Sequence, residues 1–174
     1  MKAAFIGRFQ PFHLGHKKVV EKYSKEFEEF CIVIGGSEKD RGQKNPLTGE
    51  ERKKIIESCH QDTEIYLLPD HPSNDVWSDN LIEKTGCNAV LTRNDYTENA
   101  VKESSDLEVI NQEVFQREMY SGTEVRRRIR SGEEWRYLIP NCARNSVEKH
   151  LKKIKKTGPN YEFKPGWKKE NMQN

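Results

Sequence analysis

The sequence has few apolar residues and lacks long hydrophobic runs. Hydrophobic residues make up 33% of the 174 residues, and no apolar run approaches the roughly 18 residues that a membrane-spanning helix needs. The four cysteines include no C-x-x-C pair, which argues against the common zinc and redox motifs and predicts reduced thiols, the usual state in the cytosol. We therefore expect a cytoplasmic protein with no signal peptide and no membrane partner.

The sequence also lacks an excess of charge of one sign. Its 30 lysines and arginines are nearly balanced by 28 aspartates and glutamates, for a net charge of +2. A protein dedicated to binding nucleic acid would usually be more basic, so we expect no nucleic-acid partner. The length suits one domain with a proper core, which we place at residues 1–156, followed by a polar tail at residues 157–174.

Two common phosphate-binding motifs are missing near the N-terminus. Neither G-x-x-x-x-G-K-[ST] nor G-x-G-x-x-G follows the first apolar run. Residues 7–16 instead read GRFQPFHLGH, between a predicted strand at residues 3–6 and residues 17–23, whose apolar positions recur at helical spacing.

This stretch places His13 and His16 where the predicted helix begins, three positions apart and therefore on one face. Gly15 carries no side chain, so a ligand can approach the backbone, and Arg8 adds a planar charge in the same turn. Unpaired N–H groups at a helix N-terminus favour phosphate. The sequence therefore predicts a phosphate-handling site without an obvious nucleophile. The alternative, that both histidines are only structural, is disfavoured by their spacing around a glycine.

The remaining pattern predicts alternating strands and helices. Each strand–helix–strand unit favours a parallel pair with a right-handed crossover, so we expect an α/β fold with a Rossmann-like doubly wound parallel sheet. Ligands in such sheets bind at the carboxyl ends of the strands, near a topological switch point. The further strands are predicted at residues 30–36, 64–69, 88–92 and 107–110, a loop at 37–44, and helices at 48–59, 76–84 and 143–155.

A second candidate centre begins at Ser121. Ser121 and Glu124 have the spacing of a capping box, so a helix should start here and present hydroxyl and N–H groups from Ser121, Gly122 and Thr123 at its positive end. Arg126 lies one turn further and can reach the same phosphate. A solvated basic face is the favoured interpretation for Arg127, Arg128 and Arg130.

These stretches resemble the H-x-G-H nucleotidylyltransferase superfamily, and in particular its archaeal-type nicotinamide mononucleotide (NMN) adenylyltransferases. GRFQPFHLGH carries the superfamily signature, and SGTEVR at residues 121–126 resembles the family's S-G-T-x-[IV]-R. NPLTGEER at residues 45–52 is similar to the family's N-P-[F]-T-x-x-E-R, with Leu47 in place of phenylalanine. The family's Gly-Asn-Pro loop is matched only at Asn94, because Arg93 and Asp95 replace the glycine and the proline.

The resemblance implies that NMN and ATP react to give NAD and pyrophosphate, with Mg²⁺ carried by ATP rather than by protein ligands. It implies catalytic roles for His16, His13 and Arg126. Trp77 matches the family's tryptophan that stacks on nicotinamide, and an indole face suits a cationic ring; the alternative is a core residue. The implied ATP-binding residues are Gly7, Arg8, Phe9, His13, Gly15, His16, Ser121, Gly122, Thr123 and Arg126. The implied NMN-binding residues are Trp77, Asn45 and Asn94.

Alternatives remain open at this point. The acceptor could be nicotinic acid mononucleotide, FMN or pantetheine phosphate, and the transferred group could be cytidylyl. A nucleotide-sensing or RNA-binding protein without turnover is a further alternative, which the complete histidine pair disfavours. The family resemblance also suggests a homo-oligomer.

Overall fold

The computed structural model describes residues 1–40 and 42–157. Five strands form its sheet: β1 (Lys2–Gly7), β2 (Glu29–Gly35), β3 (Glu64–Leu68), β4 (Ala89–Thr92) and β5 (Glu108–Asn111). The helices are α1 (Leu14–Tyr23), α2 (Gly49–Glu57), α3 (Asn74–Thr85), α4 (Asp95–Ser104), α5 (Gly122–Ser131), α6 (Asn141–Glu148) and α7 (Leu151–Lys156), with a short 3₁₀ turn at Arg136–Leu138.

The strand order is β3-β2-β1-β4-β5, and all neighbouring strands are parallel. The chain first builds outward from β1 to β3 and then returns to place β4 on the other side of β1. This confirms the predicted Rossmann-like doubly wound sheet. Its topological switch point lies between the carboxyl ends of β1 and β4, where ligands bind in such folds.

Both faces of the sheet are covered, which explains why β1 reads as a continuous apolar run. Successive side chains of a strand point to opposite faces, so Phe5 belongs to one core cluster with Ile32 and Leu91. Ala4 and Ile6 belong to a second cluster on the other face, with Val33 and others. The central strand is thus held on both sides, and the loop that follows it starts from a fixed position.

Two helical segments differ from the predictions. α4 was not predicted, although the side chain of Asn94 caps it by accepting from the N–H groups of Tyr96 and Thr97. The predicted helix at residues 143–155 is wrong as a single helix, because the chain turns at Lys149–His150 between α6 and α7. The turn lets α7 pack against α5 and bury Ile154.

The prediction of reduced cysteines is wrong for one pair. Cys59, just after α2, forms a disulfide with Cys142 in α6, 83 positions further along the chain. Because α2 packs on α6, the tertiary structure brings together two cysteines that no local pattern pairs. Cys31 and Cys87 are free and buried, and burial raises the pKa of Cys31 to about 12, so this thiol is unreactive.

The end of the described chain is attached to the domain. Thr157 is buried and accepts a hydrogen bond from Arg130, while the remainder of the predicted tail, residues 158–174, lies outside the described residues. No helix within residues 1–40 and 42–157 is long and apolar enough to cross a membrane.

Candidate active site

A cavity of about 2000 Å³ opens at the switch point. It is lined by the β1–α1 turn, the loop after β2, the β4–α4 turn, the N-terminus of α5 and the end of α7. All the predicted site residues except Trp77 line it, namely Gly7, Arg8, Phe9, His13, Gly15, His16, Asn45, Asn94, Ser121, Gly122, Thr123 and Arg126. The tertiary structure therefore joins the two centres that lie over a hundred positions apart in sequence.

His13 and His16 cap the N-terminus of α1 reciprocally. The Nδ1 atom of His13 accepts from the backbone N–H of His16 at 3.4 Å, and Nδ1 of His16 accepts from the N–H of His13 at 3.3 Å. Since each Nδ1 is an acceptor, the proton of each neutral imidazole lies on Nε2. Sequence analysis missed this device, because Ser, Thr, Asp and Asn are the usual capping residues.

Both histidines are neutral near pH 7. Burial, and then the charge of Arg126, lower the pKa of His13 to about 3. Burial, and then His13, lower the pKa of His16 well below its ordinary value. The two rings stack with their centroids 3.6 Å apart, and Phe9 packs edge-on against His16 at 4.7 Å. The pair therefore offers two fixed Nε2–H donors rather than two charges.

Gly15 is required by packing. A Cβ atom there would lie 3.0 Å from Cβ of Tyr120 and 3.1 Å from ring atoms of His13. The absence of a side chain at Gly15 therefore leaves room for both the His13 ring and Tyr120, in the segment that leads into α5. The glycine of H-x-G-H thus helps to connect the two centres, in addition to leaving its backbone free of a side chain.

Arg126 is the buried charge of the second centre. Its Nη1 donates to the backbone oxygen of Gln10 at 2.7 Å and its Nη2 to the Thr123 hydroxyl at 3.4 Å. Its Nε is buried without a hydrogen-bond partner among the described residues. Burial, and then Arg130, lower the pKa of Arg126 to about 10, so the guanidinium remains charged at neutral pH. A charged donor with spare hydrogen-bonding capacity suits an incoming phosphate.

The predicted capping box at the start of α5 forms only in part. Ser121 accepts from the N–H of Glu124, as predicted. The carboxylate of Glu124 does not reach back to Ser121 and instead binds Arg127 and Arg128. The N–H group of Ser121 is therefore not occupied by Glu124, since the carboxylate is drawn to the two charges one turn further along the helix.

The arginine run on α5 divides into two kinds. Arg127 and Arg128 form surface ion pairs with Glu124 and Glu133, which agrees with a solvated face, although Arg127 also lines the cavity. The same prediction for Arg130 is wrong, because this side chain is partly buried, lines the cavity and donates to the backbone oxygen of Gln43 at 2.6 Å. The sequence held a signal for this, since positions 126 and 130 are four apart and share a helix face.

A smaller cavity of about 420 Å³ adjoins the first. Arg8 and Lys39 line both cavities, and both bind the carboxylate of Asp70, at 2.8 Å and 2.6 Å. Burial alone would raise the pKa of Asp70, but these two partners outweigh it and lower that pKa. Nη1 of Arg8 is buried without a hydrogen-bond partner among the described residues. Sequence analysis assigned no role to Asp70.

Gly36, just after β2, makes room for Arg8. Its φ is +55°, a left-handed conformation that favours glycine, and a Cβ atom there would lie 1.4 Å from Nη1 of Arg8. The Arg8 guanidinium therefore lies directly against the backbone at the end of β2.

The three predicted acceptor residues differ in placement. Trp77 is 8% exposed and packs in the core with Leu68, Leu81 and others, so it does not line either cavity. Asn45 lines the large cavity. Asn94 also lines it, but its side-chain oxygen is used to cap α4.

The large cavity is basic. Among its described lining residues, lysines and arginines outnumber carboxylates by ten to four, which favours a polyanionic ligand. Within the same described residues, no group of three or more His, Cys, Asp or Glu side chains could hold a metal ion.

A doubly wound parallel sheet with a basic cavity and an H-x-G-H pair at its switch point defines a nucleotidylyltransferase. Residues 4–128 match the model of the cytidylyltransferase-like family, to which the chain therefore belongs. Among its relatives, the chain is 33% identical over 169 residues to a nicotinamide-nucleotide adenylyltransferase of Methanolobus tindarius, covering 92% of this chain and 98% of the relative.

Another relative and a solved structure agree. The nicotinamide-nucleotide adenylyltransferase of Archaeoglobus fulgidus is 31% identical, with 88% of this chain and 92% of the relative covered. A bifunctional NMN adenylyltransferase/ADP ribose pyrophosphatase of Francisella tularensis, solved with AMP and a manganese ion, has a TM-score of 0.69 at 22% identity. The match covers 88% of this chain and 51% of that one, so this chain spans about half of the bifunctional protein. The family resemblance seen in the sequence is confirmed.

Proposed function

We propose that the chain transfers AMP from ATP to NMN, giving NAD and pyrophosphate. The observation that carries the proposal is the meeting of two Nε2–H donors, from His13 and His16, with the charged Arg126 at one basic cavity. The two archaeal relatives described above are named for this activity, and each alignment covers most of this chain and most of the relative.

The reaction needs no activated side-chain nucleophile. An oxygen of the NMN phosphate attacks the α-phosphorus of ATP, and the bond from that phosphorus to the bridging oxygen of the leaving pyrophosphate breaks. The barrier lies in bringing two anions together and in stabilising the charge that moves to the leaving group. Positioning can supply about 7–11 kcal/mol in favourable cases, and each fixed donor roughly 10²–10³ in rate.

The side chains divide this work by position. His16 would donate to the α-phosphate and His13 to a neighbouring oxygen, both as neutral imidazoles with Nε2–H groups. Arg126, with the Ser121 and Thr123 hydroxyls at the start of α5, would hold the β- and γ-phosphates. Arg130, which lines the same cavity, adds charge there.

A divalent cation, Mg²⁺ in this proposal, would enter with ATP, since the described residues offer no protein cage for it. Such a cation is held mainly by phosphate and water. The cavity fits this arrangement because its described lining is rich in groups that donate to phosphate and would hold the triphosphate itself. The cation would neutralise part of the triphosphate charge.

The smaller cavity would take the acceptor. Arg8 and Lys39 line both cavities, so they would lie between the two substrates. Asn45 and Asn94 stay predicted acceptor contacts, and Trp77 would reach nicotinamide only by leaving its core position. Homo-oligomerisation and a cytoplasmic location also stay predictions.

The test is to incubate purified protein with ATP and Mg²⁺ and, separately, NMN, nicotinic acid mononucleotide or FMN, and to follow pyrophosphate and dinucleotide. NAD formed fastest from NMN supports the proposal. Pyrophosphate with another acceptor would keep the nucleotidylyl transfer and replace the substrate. Tight ATP binding without turnover would favour a nucleotide-sensing protein.

A further inference from the structure

Arg52 of α2 is a fully buried arginine, with 0% of its surface exposed. Among the described residues, its guanidinium donates to backbone oxygens alone. Nε donates to Thr48 at 3.1 Å, Nη1 to Arg8 at 2.9 Å and Gly35 at 3.0 Å, and Nη2 to Gly36 at 2.9 Å and Lys39 at 3.5 Å. Arg52 lines neither of the two cavities.

These acceptors come from separate segments of chain. The oxygen of Arg8 lies just after β1, that of Gly35 ends β2, and that of Lys39 lies in the following loop. One side chain therefore connects the ends of the two neighbouring strands to the loop that lines both cavities. Only the planar, five-donor fork of arginine can make such divergent bonds at once, whereas lysine donates from a single point.

The burial of this charge is costly unless its donors are satisfied. Burial, and then the charge of Arg8, lower the pKa of Arg52 to about 10, so it stays charged at neutral pH. The charged Arg52 lies in the interior near the charged Arg8, and its direct partners are carbonyl oxygens. Filling the core would not require a charged side chain here. An apolar side chain could fill the space but could not fix the loop.

We propose that Arg52 is a positioning residue, which sets Arg8 and Lys39 between the two cavities by holding their backbone oxygens. The inference rests on the proposed function, because it places these two residues where the acceptor phosphate meets ATP. The Nη1 atom of Arg8 lies against Gly36, whose oxygen Arg52 also holds. A loop displaced by about 1 Å would therefore move Arg8, and such misplacement can cost about 10² in rate.

The other end of the ATP site meets the same β1–α1 turn at a different point, since Arg126 donates to the backbone oxygen of Gln10. Ser121, Thr123 and Arg126 lie at the start of α5 and make no hydrogen bond with Arg52 among the described residues. Loss of the Arg52 fork should therefore weaken the acceptor side and the chemical step more than the binding of ATP.

The experiment compares Arg52→Lys and Arg52→Met with wild type. A matched control is Arg144→Lys, since Arg144 also donates through Nε to backbone oxygens, of Arg136 at 2.9 Å and Ile139 at 3.3 Å, but lies away from both cavities. We measure the Kd for ATP by calorimetry, kcat and KM for NMN, and the midpoint of thermal unfolding.

The expected result for Arg52→Lys is a KM for NMN raised at least about tenfold and a kcat lowered about 10–100-fold, with the Kd for ATP within about threefold of wild type. The methionine variant should be at least as impaired, and Arg144→Lys should match wild type in both substrates. Equal loss of ATP and NMN binding, or wild-type kinetics in a folded Arg52→Lys protein, would overturn the positioning role.

A second variant covers the case in which neither Arg52 substitution folds. Gly36→Ala leaves Arg52 intact but places a methyl group against Arg8, and it should show the same raised KM for NMN at unchanged ATP affinity. Wild-type kinetics in Gly36→Ala would overturn the role. Failure of the proposed function is seen separately, in wild type, as the absence of NAD from NMN and ATP.

Discussion

The depressed pKa of His13 has a measurable consequence for stability. The unfolded chain has an ordinary imidazole with a pKa near 6.5, whereas in the fold burial and Arg126 lower it to about 3. Between these two values the unfolded state binds a proton that the folded state excludes. Stability is therefore full above the unfolded pKa and falls as the pH falls from there towards the folded pKa.

The size of the effect follows from these two values. Near pH 5 the unfolded His13 is almost fully protonated and the folded one is not, so linkage gives a loss of about 2 kcal/mol relative to pH 7.5. This is a large share of the roughly 5–15 kcal/mol by which domains are stable. With a urea m-value of about 2 kcal/mol/M, the unfolding midpoint should move by roughly 1 M.

The perturbation that isolates this effect is His13→Asn. Asparagine does not titrate, and it is among the best N-cap residues, so α1 should keep its cap. Urea unfolding of wild type and variant is measured at about pH 7.5 and pH 5. We expect the variant to lose at least about 2 kcal/mol less on acidification, because His13 also contributes to the low pKa of His16. His60 and His150, whose pKa values burial lowers, act equally in both proteins.

The reasoning would be refuted by the same acid destabilisation in both proteins. A histidine NMR signal assigned to His13 that titrates near 6.5 in the folded protein would refute it independently, because the folded imidazole should stay neutral down to about pH 3.

Three further predictions concern the site and the disulfide. His16→Ala should lower kcat by roughly 10²–10³ and change the Kd for ATP far less; steady-state kinetics with calorimetry checks this, and equal losses would count against a role in the transition state. If the indole of Trp77 reaches nicotinamide, Trp77→Phe should raise the KM for NMN and leave the Kd for ATP unchanged. If Trp77 is only a core residue, its substitution should change stability alone, and Trp77→Ala should lower the free energy of unfolding in urea by about 3–5 kcal/mol. Reduction of Cys59–Cys142, or Cys142→Ser, should lower stability by roughly 4–5 kcal/mol, since the bridge closes a loop of 83 positions; urea unfolding with and without reductant measures it, and coincident curves would mean that the bridge does not form.

Local sequence patterns were sufficient to locate an element wherever a single feature, such as apolar content or a capping spacing, dominated the stretch. Stretches rich in apolar residues located all five strands, and the T-x-x-E spacing at Thr48 and Glu51 located the capping box of α2. The sequence around Asn94 resembles a loop and therefore did not predict α4, although asparagine is a usual N-cap residue. The histidine cap of α1 could not be expected, because imidazoles rarely cap helices.

The sequence by itself determined the alternation of strands and helices, the parallel sheet and the two stretches proposed to bind phosphate, because apolar periodicity and helix capping depend on residues close together along the chain. The tertiary structure decided what depends on distant residues. It paired Cys59 with Cys142, left Arg126 buried without a carboxylate partner among the described residues, brought Arg130 to the cavity and placed Trp77 in the core. It also set the neutral state of His13 and His16, since a pKa is fixed by burial and by neighbouring charges that no local pattern contains.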